Sequence, residues 1–229
     1  MLSANEIVEL QDQLTLQWHQ SAPLSDTSAE ASLPDDSWLS AVARQHLANF
    51  ELWHTEDEAR RPDASDADLA RVKRHIDRTN QRRNDLAEAL DVTLLHWLAR
   101  LHLPSPQAEL HSESAGLIID RLSILALKIY HTHEETERTD VPHAHIERNQ
   151  ERLEILQEQR SDLAECLQKL WNDTLNGDRR FRLYRQLKMY NDPSLNPAIY
   201  RQSAASPSLG EASTTEELTR CDGMGIKSA

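Results

Sequence analysis

Histidine, carboxylate and amide side chains occur twice in this chain, in the same order and at the same spacing. The ten residues are His54, Asp57, Glu58, Asp77 and Asn80, and then His131, Glu134, Glu135, Glu154 and Gln157. At about 100° per residue, the histidines and several of the acids fall on the apolar faces of predicted helices. A charge that faces a protein core has to be paired, bound to a metal or hydrated. These residues are therefore the candidate polar or metal site.

Two interpretations of this candidate site remain open. In the first, the acids form ion pairs at the ends of helical hairpins, for example Asp57 or Glu58 with Lys73 or Arg74. In the second, carboxylate and amide oxygens of two antiparallel helices bind a hard cation, Mg²⁺ or Mn²⁺. The second arrangement is loosely similar to that of the all-helical nucleotide pyrophosphohydrolases. His54, however, stands where a further carboxylate would be expected.

Other histidines surround the second predicted hairpin turn. His133 follows His131 by two residues, so the two side chains diverge on a helix. His143 and His145 take ordinary first-turn positions of the next predicted helix. We therefore expect turn histidines here, and not a transition-metal cluster.

The segment 179–190 holds five cations and no acid, interleaved with aromatic residues. The spacing predicts a helix that presents cations on one face. The candidate anion-binding residues are Arg179, Arg182, Arg185, Lys188, Tyr190 and Asn191. Guanidinium groups and aromatic rings suit a phosphate or a sugar nucleotide. The alternative is a basic helix that docks on an acidic bundle.

The elements that position these residues also repeat. Shifted by 77 residues without a gap, positions 44–90 match positions 121–167 at 14 of 47 places. Chance would give roughly 3 matches. The repeat places His54 on His131, and it predicts a duplicated unit.

The apolar spacing predicts an all-α fold. Two long hairpins, residues 37–103 and 114–176, are expected to pack as an antiparallel four-helix bundle with a pseudo-twofold axis. An extra N-terminal helix begins with the capping box Ser3-x-x-Glu6. It and the basic helix would lie against the ends or sides of the bundle. We expect one domain over residues 1–201 and disorder in the polar residues 202–229.

Composition limits the classes of function. The net charge of −13 over 229 residues argues against nucleic acid as a partner. The only cysteines, Cys166 and Cys221, offer neither a disulfide framework nor a CxxC metal site. No run approaches about 20 apolar residues, and the first residues do not form a signal peptide. We expect a cytoplasmic protein without a membrane span, and the oligomeric state stays open.

Four stretches resemble an uncharacterised bacterial family, domain of unknown function 4254. They are residues 49–57 (NFELWHTED), 76–85 (IDRTNQRRND), 119–125 (IDRLSIL) and 188–193 (KMYNDP). The resemblance covers about residues 36–197. It implies a helical bacterial protein and no particular activity. The family's association with cell-surface glycan synthesis adds slight weight to a sugar-phosphate ligand.

These observations leave two hypotheses for function, and whether the chain is an enzyme stays open. The first is a binding or scaffold protein for a partner protein or a phosphorylated small molecule. The alternative is a Mg²⁺- or Mn²⁺-dependent enzyme that acts on a nucleotide or sugar phosphate.

Overall fold

The computed structural model describes residues 3–20, 37–187 and 194–197. Within these ranges the chain forms five α-helices and two short strands. The elements are α1 (Ala4–Gln20), α2 (Ser37–Glu58), α3 (Asp66–Ala99), β1 (Glu109–Leu110), α4 (Ala115–Thr136), α5 (His143–Asn176) and β2 (Arg179–Arg180). The predicted all-α class is confirmed.

Helix α4 lies at the centre and packs against α1, α2, α3 and α5. It carries the most apolar run of the sequence, and Ile118, Ile119 and Leu122 are almost completely buried. These side chains join residues of all the other helices in one apolar core. The burial of α4 on several sides explains why residues 117–130 have so few polar positions.

Helix α1 is part of this core, whereas the sequence predicted a helix against the ends or sides of the bundle. Ile7, Leu14 and Trp18 recur at helical spacing and are buried. The helix contacts α2, α4 and α5, so its apolar stripe fills the groove between them. Arg160 of α5 also donates to both carboxylate oxygens of Asp12, at 2.7 and 2.8 Å.

Helices α3 and α4 approach closely at the start of α4. The buried carboxylate of Asp91 accepts hydrogen bonds from the Ser114 hydroxyl at 2.5 Å and from the Gly116 amide at 2.7 Å. A Cβ atom on Gly116 would lie 2.3 Å from the Ala87 carbonyl oxygen. Glycine is therefore required at this crossing.

The helices have matching lengths. Helices α2 and α4 each have 22 residues, and α3 and α5 each have 34. The bounds of α3 and α5 differ by 77 residues at both ends, from 66 to 143 and from 99 to 176. This is the offset of the sequence repeat.

The predicted basic helix at 179–190 is wrong over the residues that the structure describes. Helix α5 ends at Asn176, and the following Gly177, with a φ of 82°, forms the left-handed C-cap. Arg179 and Arg180 then pair in parallel with β1. Residues 181–187 have no regular structure, and the buried Phe181 anchors their start. The strand pairing satisfies backbone groups that a helix would have satisfied internally.

The chain divides into a unit Met1–Gln186 and a unit Leu187–Ala229. Of the second unit the structure describes only Leu187 and residues 194–197. The predicted boundary at 201 and the predicted disordered tail lie outside the described residues. None of the helices described is long and apolar enough to cross a membrane.

Candidate functional site

Three histidines from three helices converge at one point in the bundle. His19 comes from the last turn of α1, His54 from α2 and His131 from α4. One ring nitrogen from each lies within 4.8 Å of those of the other two. The ring centroids are 4.9 to 5.6 Å apart. We call these three residues the histidine cluster.

Hydrogen bonds define the proton positions on two of these rings. His19 donates its Nδ1 hydrogen to the Thr15 carbonyl oxygen at 2.7 Å. His131 donates its Nδ1 hydrogen to the Glu134 carboxylate at 2.8 Å. The Nε2 atoms of His19, His54 and His131 are all buried, and none has a hydrogen-bond partner among the described residues. A neutral ring that donates through Nδ1 carries its lone pair on Nε2.

Aromatic side chains pack against all three imidazole rings of the histidine cluster. Tyr130 stacks on His19 with centroids 4.1 Å apart, and Trp53 stacks on His131 at 5.0 Å. Phe50 approaches His54 edge-on at 4.5 Å. These contacts restrict rotation of all three imidazoles, so the nitrogens are positioned before any ligand arrives.

Burial lowers the pKa of His19 and of His54, and the neighbouring imidazoles lower it further. Both effects disfavour the charged ring. His19 and His54 are therefore neutral nitrogen ligands at neutral pH.

Among the described residues, Glu134 is the only predicted carboxylate that is hydrogen-bonded to a cluster histidine, and the predicted acids do not group with one another at metal-ligand spacing. Within the described part of the chain, His19, His54 and His131 are the only group of three or more histidine, cysteine or acidic side chains with metal-ligand spacing. The exposed members of the predicted set are Asp57, Glu58, Asp77, Glu134, Glu154 and Gln157, and Asn80 and Glu135 are half-buried. The expected inward direction of the acids is therefore wrong.

The reason is the position of the acids in the hairpins. Helix α2 ends at Glu58, so the acids of its last turn lie at the hairpin end, where water solvates them. Other acids of the predicted set form ion pairs with residues three or four positions away in the sequence. Lys73 pairs with Asp77, and Arg138 pairs with Glu135.

The histidines around the second hairpin turn are paired with acids, which the sequence analysis did not predict. His133 lies beside Glu137 at 3.8 Å, and His143 lies beside Glu147 at 3.3 Å. His145 contacts Glu135 at 2.7 Å. These side chains do not join the cluster.

A second buried polar region surrounds Asp120 of α4. Its carboxylate forms a paired contact with Arg83 of α3, with distances of 2.8 and 2.5 Å. Gln45 and Asn49 of α2 donate to the same carboxylate at 2.5 and 3.0 Å. The sequence carried a signal for this region, an acid inside the most apolar run and an arginine in an inward stripe.

A cavity of about 400 Å³ lies beside this network, between α2, α3 and α4. Its lining includes Asn49, Leu52, Trp53, Arg60, Arg83 and Leu127. Both arginines are already engaged, because Arg83 binds Asp120 and Arg60 pairs with Glu56 at 3.2 Å. The cavity thus offers mainly apolar surface and an aromatic ring.

The predicted anion-binding cations do not share a helical face. Arg179 pairs with Glu109 at 3.5 Å and Asp173 at 3.6 Å. Arg182 is exposed, and Arg185 is exposed with Glu88 4.0 Å away. Lys188, Tyr190 and Asn191 lie outside the described residues.

The sequence did not reveal His19 as a site residue. It lies in α1, outside the two repeats, and the apolar stripe ends beside it at Trp18. The pattern also gave no distance between α1 and the hairpins, so only the packing of α1 against α2 and α4 identifies it.

Comparison with known proteins identifies the family. The family model described as "Protein of unknown function (DUF4254)" matches residues 39–183, which include His54 and His131 but not His19. No curated protein and no solved structure matches the chain. The chain belongs to the DUF4254 family, whose function is not known.

Proposed function

We propose that this protein is a binding protein and that its cavity between α2, α3 and α4 accepts a helix of a partner protein. The observation that carries the proposal is the mainly apolar cavity of about 400 Å³ beside Trp53. An apolar lining with a few polar groups suits the apolar face of an amphipathic helix.

We also propose that the two hairpins arose by duplication and superpose about an approximate twofold axis. The matching helix lengths and the 77-residue offset support this. On that basis, Arg83 corresponds to Arg160 and Trp53 corresponds to Tyr130. Superposition of positions 44–90 on 121–167 in an experimental structure is the direct check.

The corresponding groove of the second hairpin already holds a helix, which is α1. Tyr130 stacks on His19 of α1, and Arg160 binds Asp12 of α1. In the first hairpin, Trp53 lines the cavity, and Arg83 binds Asp120 of the neighbouring α4. An amphipathic helix is therefore the kind of ligand that this groove shape accepts.

The other functions predicted from the sequence have less support. A phosphorylated ligand in this cavity would have to compete with Asp120 and Glu56 for the two arginines. A Mg²⁺- or Mn²⁺-dependent enzyme would need clustered oxygen ligands, and the described residues offer none with that spacing. A cytoplasmic location stays part of the proposal, because Cys166 is exposed and unpaired.

Site-specific photo-crosslinking in cells tests the partner. A photoreactive residue at Glu56, on the cavity rim, is expected to give a protein adduct that Leu52→Arg abolishes. The matched control is the same residue at Ala89, an exposed position of α3. Equal adducts at both positions, or an adduct that survives Leu52→Arg, would contradict the proposal.

A further inference from the structure

We infer that the histidine cluster is a binding site for one divalent transition-metal ion, of which Zn²⁺ is the representative. The inference does not depend on the partner groove. It begins from the three buried Nε2 atoms, which lack hydrogen-bond partners among the described residues. The large majority of buried side-chain polar atoms in proteins have a hydrogen-bond partner, so three unpaired nitrogens in neighbouring rings require an explanation.

The direction of the rings is that of metal ligands. A histidine that binds a metal usually donates its other ring hydrogen to a backbone carbonyl or a carboxylate. His19 does so to the Thr15 carbonyl, and His131 does so to Glu134. Both hydrogen bonds keep the hydrogen on Nδ1, so the lone pair of Nε2 is available to bind a metal ion.

The spacing is close to that of a bound ion. With metal–nitrogen distances of about 2.0–2.1 Å, tetrahedral ligand atoms are roughly 3.3 Å apart. The cluster nitrogens lie within 4.8 Å of one another. Each nitrogen would need to move inward by about 0.8 Å or less, a small adjustment that keeps each ring against its aromatic neighbour.

The donor set selects the class of metal. Imidazole suits Zn²⁺, Cu²⁺ and Ni²⁺, whereas Mg²⁺ and Mn²⁺ prefer oxygen ligands. The cluster contains no carboxylate oxygen, since Glu134 faces the opposite nitrogen of His131. Three protein nitrogens also leave a fourth position for water or another ligand.

A purely structural role for the cluster is the competing explanation, and His46 argues against it. This fully buried histidine has a hydroxyl group at each ring nitrogen, Thr15 at 2.9 Å and Ser123 at 2.7 Å. The same helices therefore supply partners where a histidine is structural. They supply none for the cluster Nε2 atoms within the described ranges.

The test uses the full chain without an affinity tag, stripped with a chelator and titrated with Zn²⁺ in a calorimeter. We expect one tight site per chain and a higher melting temperature when it is filled. His54→Phe keeps an aromatic ring beside Phe50 and removes the nitrogen, so the affinity should fall by at least about 100-fold. His143→Phe, at an exposed turn, should bind like the native chain.

Two results would overturn the inference: no tight Zn²⁺ site in the native chain, or equal affinity in His54→Phe. Circular dichroism establishes that each variant is folded. If His54→Phe does not fold, Co²⁺ binding to the native chain decides the matter by absorption spectroscopy. Strong visible bands of a four-coordinate site support the inference, and the weak bands of a hydrated six-coordinate ion contradict it.

Discussion

The bundle contains two histidine regions built by the same three helices, one fully buried and one half-buried. At His46 of α2, hydroxyls from α1 and α4 contact both ring nitrogens. About two helical turns further along α2, His54 meets His19 of α1 and His131 of α4, and no hydroxyl or carbonyl meets their Nε2 atoms in the described structure. The comparison shows how a histidine that serves only the fold differs from histidines arranged for a ligand.

Asp120 belongs to the first kind of region, because its charge is matched within the bundle. Four hydrogen bonds from three side chains reach its carboxylate. The Nε2 atoms of the histidine cluster have no comparable hydrogen-bond partners among the described residues. Four predictions, from the largest effect to the smallest, test this division between structural and ligand-binding polar groups.

Asp120→Ala is expected to lower the free energy of unfolding by about 3 kcal/mol, since it leaves Arg83 without its partner in a largely buried place. Urea denaturation measures the change. The control is Asp77→Ala, which removes an exposed pair with Lys73 and should change stability by less than about 1 kcal/mol. Similar losses in the two variants would mean that the Asp120 network is not the structural centre described.

The buried His46 should make the free energy of unfolding depend on pH. Burial lowers its pKa from 6.5 to about 3, so its contribution is complete above pH 6.5 and is lost as the pH falls towards 3. From pH 6.5 to 5 this loss is about 2 kcal/mol. His46→Gln, which cannot take up a proton here, should show a shallower decline in denaturant titrations. An unchanged slope of stability against pH in His46→Gln would contradict the lowered pKa of His46.

Glu134→Gln tests the partner of a cluster ring. The affinity for Zn²⁺ should fall about 10-fold, because the carboxylate orients the His131 ring and keeps its hydrogen on Nδ1. The stability of the metal-free chain should barely change, because Glu134 is half exposed. A loss of stability with unchanged affinity would make the cluster structural.

Ser123→Ala tests a partner of His46 in the same way as Glu134→Gln tests the partner of His131. It removes one hydroxyl partner, so the free energy of unfolding should fall by about 1 kcal/mol. Zn²⁺ affinity should stay at the native value, since the histidine cluster is untouched. A fall in affinity comparable to that of Glu134→Gln would show that the two regions are coupled.

The helices were largely predictable from local signals. The capping box of Ser65 and Asp68 marks the start of α3, and Gly177 marks the end of α5. Helix α3 ends at Ala99, before the predicted hairpin boundary at 103, in a series of tight turns. The strands were not predictable, because each is two residues long and exists only through a partner about 70 residues away.

The site was predictable only in part. The repeat placed His54 and His131 at corresponding positions, but it also selected acids that face solvent. Periodicity gives a direction around a helix and does not say where the covering elements end, so the acids of the last turn of α2 were assigned to the core. His19 joins the cluster only because α1 packs against α2 and α4, and no local sequence pattern predicts that packing.

The most direct test of the central claim is an anomalous diffraction experiment on crystals of the Zn²⁺-loaded chain at the zinc edge. We predict one peak between His19, His54 and His131, about 2.0–2.1 Å from each Nε2 atom. Zinc only at the turn histidines His133, His143 or His145, or no peak within the cluster, would contradict the claim.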